Sequence, residues 1–242
     1  MKTSFSVCGT ALLLFFLCSA IGCENGGRPE PRKKEPQPEA KPKESKKSLL
    51  GKNVFMEIEG DKRRVLVSAE VVLRRGEYRL EGLLCRKMTK EHEYVLAADV
   101  DARDIHTALL AAGAKPGSPV QFEPHYHAAT GDIIKVSIRY EMEGKLIEMP
   151  AQKWLLAAEG NKECDQAWVF AGSKFVPDPD NPVKPIYLAN HGDIICTANM
   201  DTAMLDLPIR SSGALESRLY TTNPDVIPEV GTKVVVVLER AE

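Results

Sequence analysis

Between Glu91 and Gly113 the chain reads EHEYVLAADVDARDIHTALLAAG, which places His92, Glu93, Asp99, Asp101 and His106 in one otherwise apolar stretch. Two imidazoles and a carboxylate are donors that suit a divalent cation, and a neutral imidazole can also polarise a carbonyl. The metal-binding expectation is therefore His92 and His106, with Glu93 as a third donor and Asp99 as an assisting polar neighbour. His92-Glu93 begins like the helical zinc-protease signature, but Leu96 stands where its second histidine belongs. Zinc takes at least three protein ligands, so this set is incomplete unless the fold closes it. The competing expectation is structural, with the polar groups pinning strand to helix through hydrogen bonds.

A strand and a helix must position these groups. Val95 to Ala98 form a short apolar run whose alternation sends His92, Tyr94 and Leu96 to one face and Glu93, Val95 and Ala97 to the other. Asp101 is the N-cap of a following helix, with Asp104 completing a capping box in place of the usual Glu. Ile105, Ala108, Leu109 and Ala112 share one helical face, and Gly113 ends the helix. His106 lies at the edge of that stripe in the first turns, where the helix dipole disfavours imidazolium.

Strands are expected at Asn53 to Glu59, Arg64 to Leu73 and Glu77 to Cys85, as an antiparallel meander. A short strand at Pro119 to Phe122 precedes a hairpin of Asp132 to Glu141 with Lys145 to Met149, and Ala151 to Ala158 is a candidate second helix. Ala167 to Phe175 is a further strand, Pro185 to Ala189 with Asp193 to Thr197 a second hairpin, and Lys233 to Glu239 the last strand. The expected class is α+β, a mostly antiparallel sheet with one or two main helices in a single globular domain.

Other candidate chemistry is thinner. His125 and His127 have the spacing that puts two imidazoles on one strand face, but Pro124 and Gly131 argue for a loop. Asp178 and Asp180 lie between prolines in an exposed turn, and Ser173 follows a glycine where a ligand could touch it. There is no P-loop, glycine-rich dinucleotide fingerprint, Gly-x-Ser-x-Gly elbow or Cys-x-x-Cys, which lowers nucleotide, serine-hydrolase and thioredoxin-type functions.

Residues 1–22 read as an export signal, with Lys2 followed by the apolar core ALLLFFL, and Ala20-Ile21-Gly22-Cys23 has the form of a lipobox with Ala in place of the usual Leu. Cys23 is the expected lipidation site, palmitate among its acyl chains; the alternative is an uncleaved membrane anchor. Residues 23–47 then form a Pro/Lys/Glu-rich, disordered tether, and the globular domain is residues 48–242. From Arg28 to Lys47 eight Lys or Arg face four Glu, a net +4; with Lys2 and Glu24 cancelling, the chain's −2 leaves −6 on the domain. An acidic domain is not a nucleic-acid binder. Cys85, Cys164 and Cys196 remain after export and lipidation, allowing at most one internal disulfide with the pairing open.

The segments HEYVLAADVDARDIHTALLAAGAKPGSPVQF, WVFAGSKF and GDIICTANMDTAMLDLPI, taken in this order, resemble the YdjY domain family of bacterial exported proteins over Val72 to Leu238. Such proteins often carry a lipoprotein signal and have no established activity. The resemblance implies a location and points at His92, Glu93 and His106 in the first segment, Gly172 and Ser173 in the second and Asp206 in the third. With Asp99, the last three are the expected ligand-binding residues. The functional expectation is a lipid-anchored cell-envelope protein, exported from the cytoplasm, that binds a ligand or an envelope partner and leans away from catalysis. The alternatives are a metal-binding enzyme or redox accessory and a purely structural protein.

Overall fold

The computed structural model describes residues 45–76 and 78–242; the expected signal, Cys23 and the expected tether up to residue 44 lie outside the described residues. In chain order the first strands are β1 Lys46–Gly51, β2 Val54–Glu59, β3 Lys62–Val71, β4 Gly82–Arg86 and β5 Tyr94–Ala98, followed by the helix α1 Ala102–Ala111. Then come β6 Ile133–Met142, β7 Lys145–Pro150, β8 Leu155–Ala157, β9 Trp168–Phe170, β10 Phe175–Val176 and β11 Ile186–Tyr187. The last are β12 Ile195–Cys196, β13 Leu205–Asp206, β14 Tyr220–Thr222 and β15 Lys233–Arg240.

The expected α+β class is overturned. The described residues are mostly β, an eight-stranded closed barrel with one α-helix and 11% helical content. The ring runs β3-β15-β6-β9-β13-β12-β4-β5 and closes where β5 pairs with β3, at Glu70↔Ala97 and Val71↔Leu96. Strand alternation supports this wall: Val65, Val67, Val136, Ile138, Val236 and Leu238 recur every second residue and meet in the main core. The long strands β3 and β6 outrun their barrel partners and carry β2 and β7 as hairpin extensions, with β1 beyond β2.

Local expectations failed where distant pairing overrode local pattern. Ala151–Trp154 is a single 3-10 turn and Leu155 continues into β8, because β14 supplies a strand partner. The segment expected as a hairpin at residues 185–197 is split: β11 pairs with β10, while β12 joins the barrel between β4 and β13. The first strand begins at Lys46, two residues inside the segment read as tether.

Two barrel contacts, β4 with β5 and β12 with β13, are parallel. A parallel connection must travel back along the strand before the next begins. Here the returns are the short loops 87–93 and 197–204, and they bring polar residues onto the barrel wall.

Candidate functional site

The helix forms as its sequence demands. Asp101 Oδ1 accepts from Arg103 N at 2.9 Å, and Ala102, Ile105, Ala108 and Leu109 are buried. The reciprocal cap is not Asp104 but Asn190, whose Oδ1 accepts from Ala102 N at 2.8 Å while its Nδ2 donates to Asp101 Oδ1 at 2.9 Å. Asp104 instead sits against Gly51, where a Cβ would come within 2.2 Å of its carboxylate, so the β1–β2 turn rests on the start of the helix.

His106 Nδ1 lies 2.8 Å from the Tyr187 hydroxyl, which donates to the Gly172 carbonyl at 3.0 Å. With that proton committed, Tyr187 accepts from His106, so Nδ1 carries the imidazole hydrogen and Nε2 the lone pair. The ring stands edge-on to Phe170 at 4.9 Å. Burial pushes its pKa below the ordinary imidazole value, partly countered by the Gly172 carbonyl, so it is neutral at pH 7. Gly172 and Ser173 both have positive φ, and their N–H groups donate to Met204 O and Ala203 O. Ser173 Oγ donates to Thr202 O at 2.5 Å. These two residues therefore fasten the second sequence segment to the third.

His92 is on different ground. Its side chain is 74% exposed, with Nε2 3.7 Å from Glu93 Oε2, and it shares no partner with His106. Among the described residues no three His, Cys, Asp or Glu are grouped to hold a metal ion. His125 and His127 lie on an exposed loop, as their flanking residues predict.

Glu93 belongs to a chain of buried and half-buried ion pairs that sequence reasoning did not find. Arg218 donates to Glu93 Oε1 and Glu81 Oε1, both at 2.8 Å, and Lys90 Nζ donates to Glu81 Oε2 at 3.0 Å and to Asp193 Oδ1 at 2.8 Å. Asp193 also accepts from Tyr94 OH at 2.8 Å and from Thr202 Oγ1 at 2.5 Å. Tyr94 reaches across β4 because Gly82 has no side chain; a Cβ there would lie 2.0 Å from the ring. The Tyr94 hydroxyl is also 3.4 Å from Cys196 Sγ. The available signal was Asp193, Asn199 and Asp206 inside an apolar run, since buried polar groups require partners.

This network holds Lys90 as a cation. Lys90 titrates above its ordinary value, because its bonds to Asp193 and Glu81 outweigh the desolvation that opposes them. Burial raises Glu81. Cys85, Cys164 and Cys196 are free and buried; burial pushes Cys85 up to about 12 and Cys196 well above its usual value, which makes them poor thiolates.

Asp206 is the exception. Oδ1 accepts from Leu207 N at 2.8 Å and Asn199 Nδ2 at 3.2 Å, while the buried Oδ2 has no partner. Burial pushes its pKa up to about 7. Asn199 links it outward to Tyr126, whose hydroxyl donates to Asn199 Oδ1 at 3.0 Å.

Asp99 stands apart from both groups. It lines an open cleft of about 510 Å³ over the barrel wall, with Glu70, Lys87, Arg139, Glu141 and Lys233 around a floor that includes Ser68 and Val235. Lys52 lies 2.6 Å from Asp99 and holds its carboxyl below its usual value, so it is charged at neutral pH. Glu70 pairs with Lys233 and lies 3.7 Å from Lys87.

No curated protein and no solved structure matches the chain. The barrel strands and the three segments that converge through Gly172, Ser173 and Tyr187 nearly all lie within residues 56–239, which match the family model described as the YdjY domain. The chain belongs to the YdjY domain family.

Proposed function

We propose that this YdjY-family chain is a lipid-anchored cell-envelope protein, acylated at Cys23, whose barrel binds a small zwitterionic ligand without turning it over. The observation that supports binding is the cleft containing Asp99. Its volume of about 510 Å³ suits a small molecule, and it gathers accessible charges of both signs. Exposed ion pairs such as Lys52–Asp99 contribute little by themselves, so a ligand's ammonium and carboxylate can take over their partners. Glu81, Glu93 and Asp193, in contrast, already have cations of their own. The anchor reading is supported by the lipobox at Ala20 to Cys23. Among the described residues no helix is long and apolar enough to cross a membrane.

Binding is tested by thermal unfolding of the full-length protein against amino acids and short peptides, with product analysis by mass spectrometry. A midpoint that rises with one of these solutes, without its consumption, and that no longer responds in Lys87→Ala or Asp99→Asn is expected. No response to any, or a response the variants retain, removes the cleft from consideration. Anchoring is tested by palmitate labelling: the native chain should be labelled and Cys23→Ser should not.

A further inference from the structure

We propose that β1 is a docking face for an anionic bilayer surface that sets the orientation of the barrel. The contact is made by side chains, so it goes beyond the acyl anchor and does not require it.

The strand β1 pairs with β2 alone among the described residues, so its other edge is open. It carries Leu49 and Leu50, 67% and 44% exposed, between Lys46 and Lys47 on one side and Lys52 on the other. Strict alternation would send adjacent leucines to opposite faces, but the β1–β2 register breaks between Leu49 and Gly51, and a bulge of this kind re-aims a side chain. Open edges are usually blunted by charge, whereas this one offers apolar groups within a frame of lysines. Lysine stems can lie along acyl chains while their ammonium groups reach headgroups.

Charge selects the occupant. Lys46, Lys47 and Lys52 put three positive charges on β1 and its turn, while residues 53–242 carry −7, the −6 of residues 48–242 without Lys52. An anionic surface attracts the first and repels the net charge of the second, which favours approach by the β1 corner. A second copy on the same edge would instead bring a second set of lysines.

The test uses the chain from Glu24, which keeps the whole barrel and its core but has no Cys23 to acylate. It is sedimented with vesicles of phosphatidylethanolamine and phosphatidylglycerol, or of phosphatidylcholine, at low and high salt. Binding only to the anionic vesicles is expected, falling about tenfold or more at high salt. Lys46→Glu/Lys47→Glu should weaken it by about tenfold or more and Leu49→Ser/Leu50→Ser by about fivefold, with unchanged circular dichroism. As a second readout, Leu50→Trp fluorescence should be quenched by brominated phosphatidylglycerol. The proposal is overturned by equal binding to neutral vesicles, by no binding, by equally tight binding to soluble dextran sulfate, by full affinity of Leu49→Ser/Leu50→Ser, by no quenching of Leu50→Trp, or by self-association through β1. A native chain without palmitate would remove the anchor and leave this result standing.

Discussion

Glu81, Glu93 and Asp193 on one part of the barrel wall and Glu70, Asp99 and Glu141 on another are the same chemical groups put to opposite uses. The first three are held by Arg218 and Lys90 at 2.8–3.0 Å, under loops that exist because two strand pairs are parallel. The second three line an open cleft whose ion pairs are exposed. A carboxylate that stays charged beneath the surface needs a cation and hydrogen bonds, which leaves it little freedom to engage a ligand. The exposed set has that freedom and contributes little to stability.

The sharpest way to break this comparison is Arg218→Met. It strands Glu81 and Glu93 with one cation fewer, and a loss of about 3–5 kcal/mol is expected in urea unfolding. A loss below about 1 kcal/mol would show that the network is not what holds the loops. Adding Glu81→Gln should restore part of the loss, because the stranded charge is then gone.

Asp206→Asn comes next. Burial raises Asp206 to about 7 in the folded chain against about 3.9 unfolded. Between these values the folded state holds a proton that the unfolded state has released, so native stability falls as pH rises from about 4 to 7. The amide removes that slope, keeps the Oδ1 contacts, and should be about 3–4 kcal/mol more stable than the native protein at pH 8 while matching it near pH 4. A native protein with no such slope would mean that Oδ2 is stabilised as a charge. In the Asp206→Asn background, stability should decline as pH falls below about 6.5, because burial of His106 disfavours its protonation.

A smaller effect is expected from Tyr187→Phe, which removes the hydroxyl joining His106 to Gly172; about 1–2 kcal/mol should be lost. At the bottom of the scale, Asp99→Asn should leave the unfolding midpoint unchanged and abolish only the ligand response. A large drop in midpoint would place Asp99 with the buried carboxylates and erase the contrast.

The parts of this site that were legible were those encoded within a few residues. Asp101, Ile105, Ala108 and Leu109 announce the helix, and Trp168 and Phe170 announce a buried strand. The N-cap partner Asn190 was not legible, because nothing between residues 101 and 113 specifies a side chain so distant in sequence. Arg218 was missed for the same reason, since it reaches Glu93 across 125 positions. The metal reading grew from proximity in sequence, yet His92 points to solvent and His106 is tied to Tyr187.

By itself the sequence determined the capped helix, the alternating strands, the contrast of charge between residues 28–47 and 48–242, and membership of the family. These depend on periodicities of 2 and 3.6 residues and on composition, all of which are local or additive. Only the tertiary structure decided that β5 returns to β3 and closes a barrel, that β12 inserts beside β4, and which carboxylates receive a cation. Those outcomes come from long-range pairings that compete for the same strand edges, and the winner is set by the packing of the whole wall.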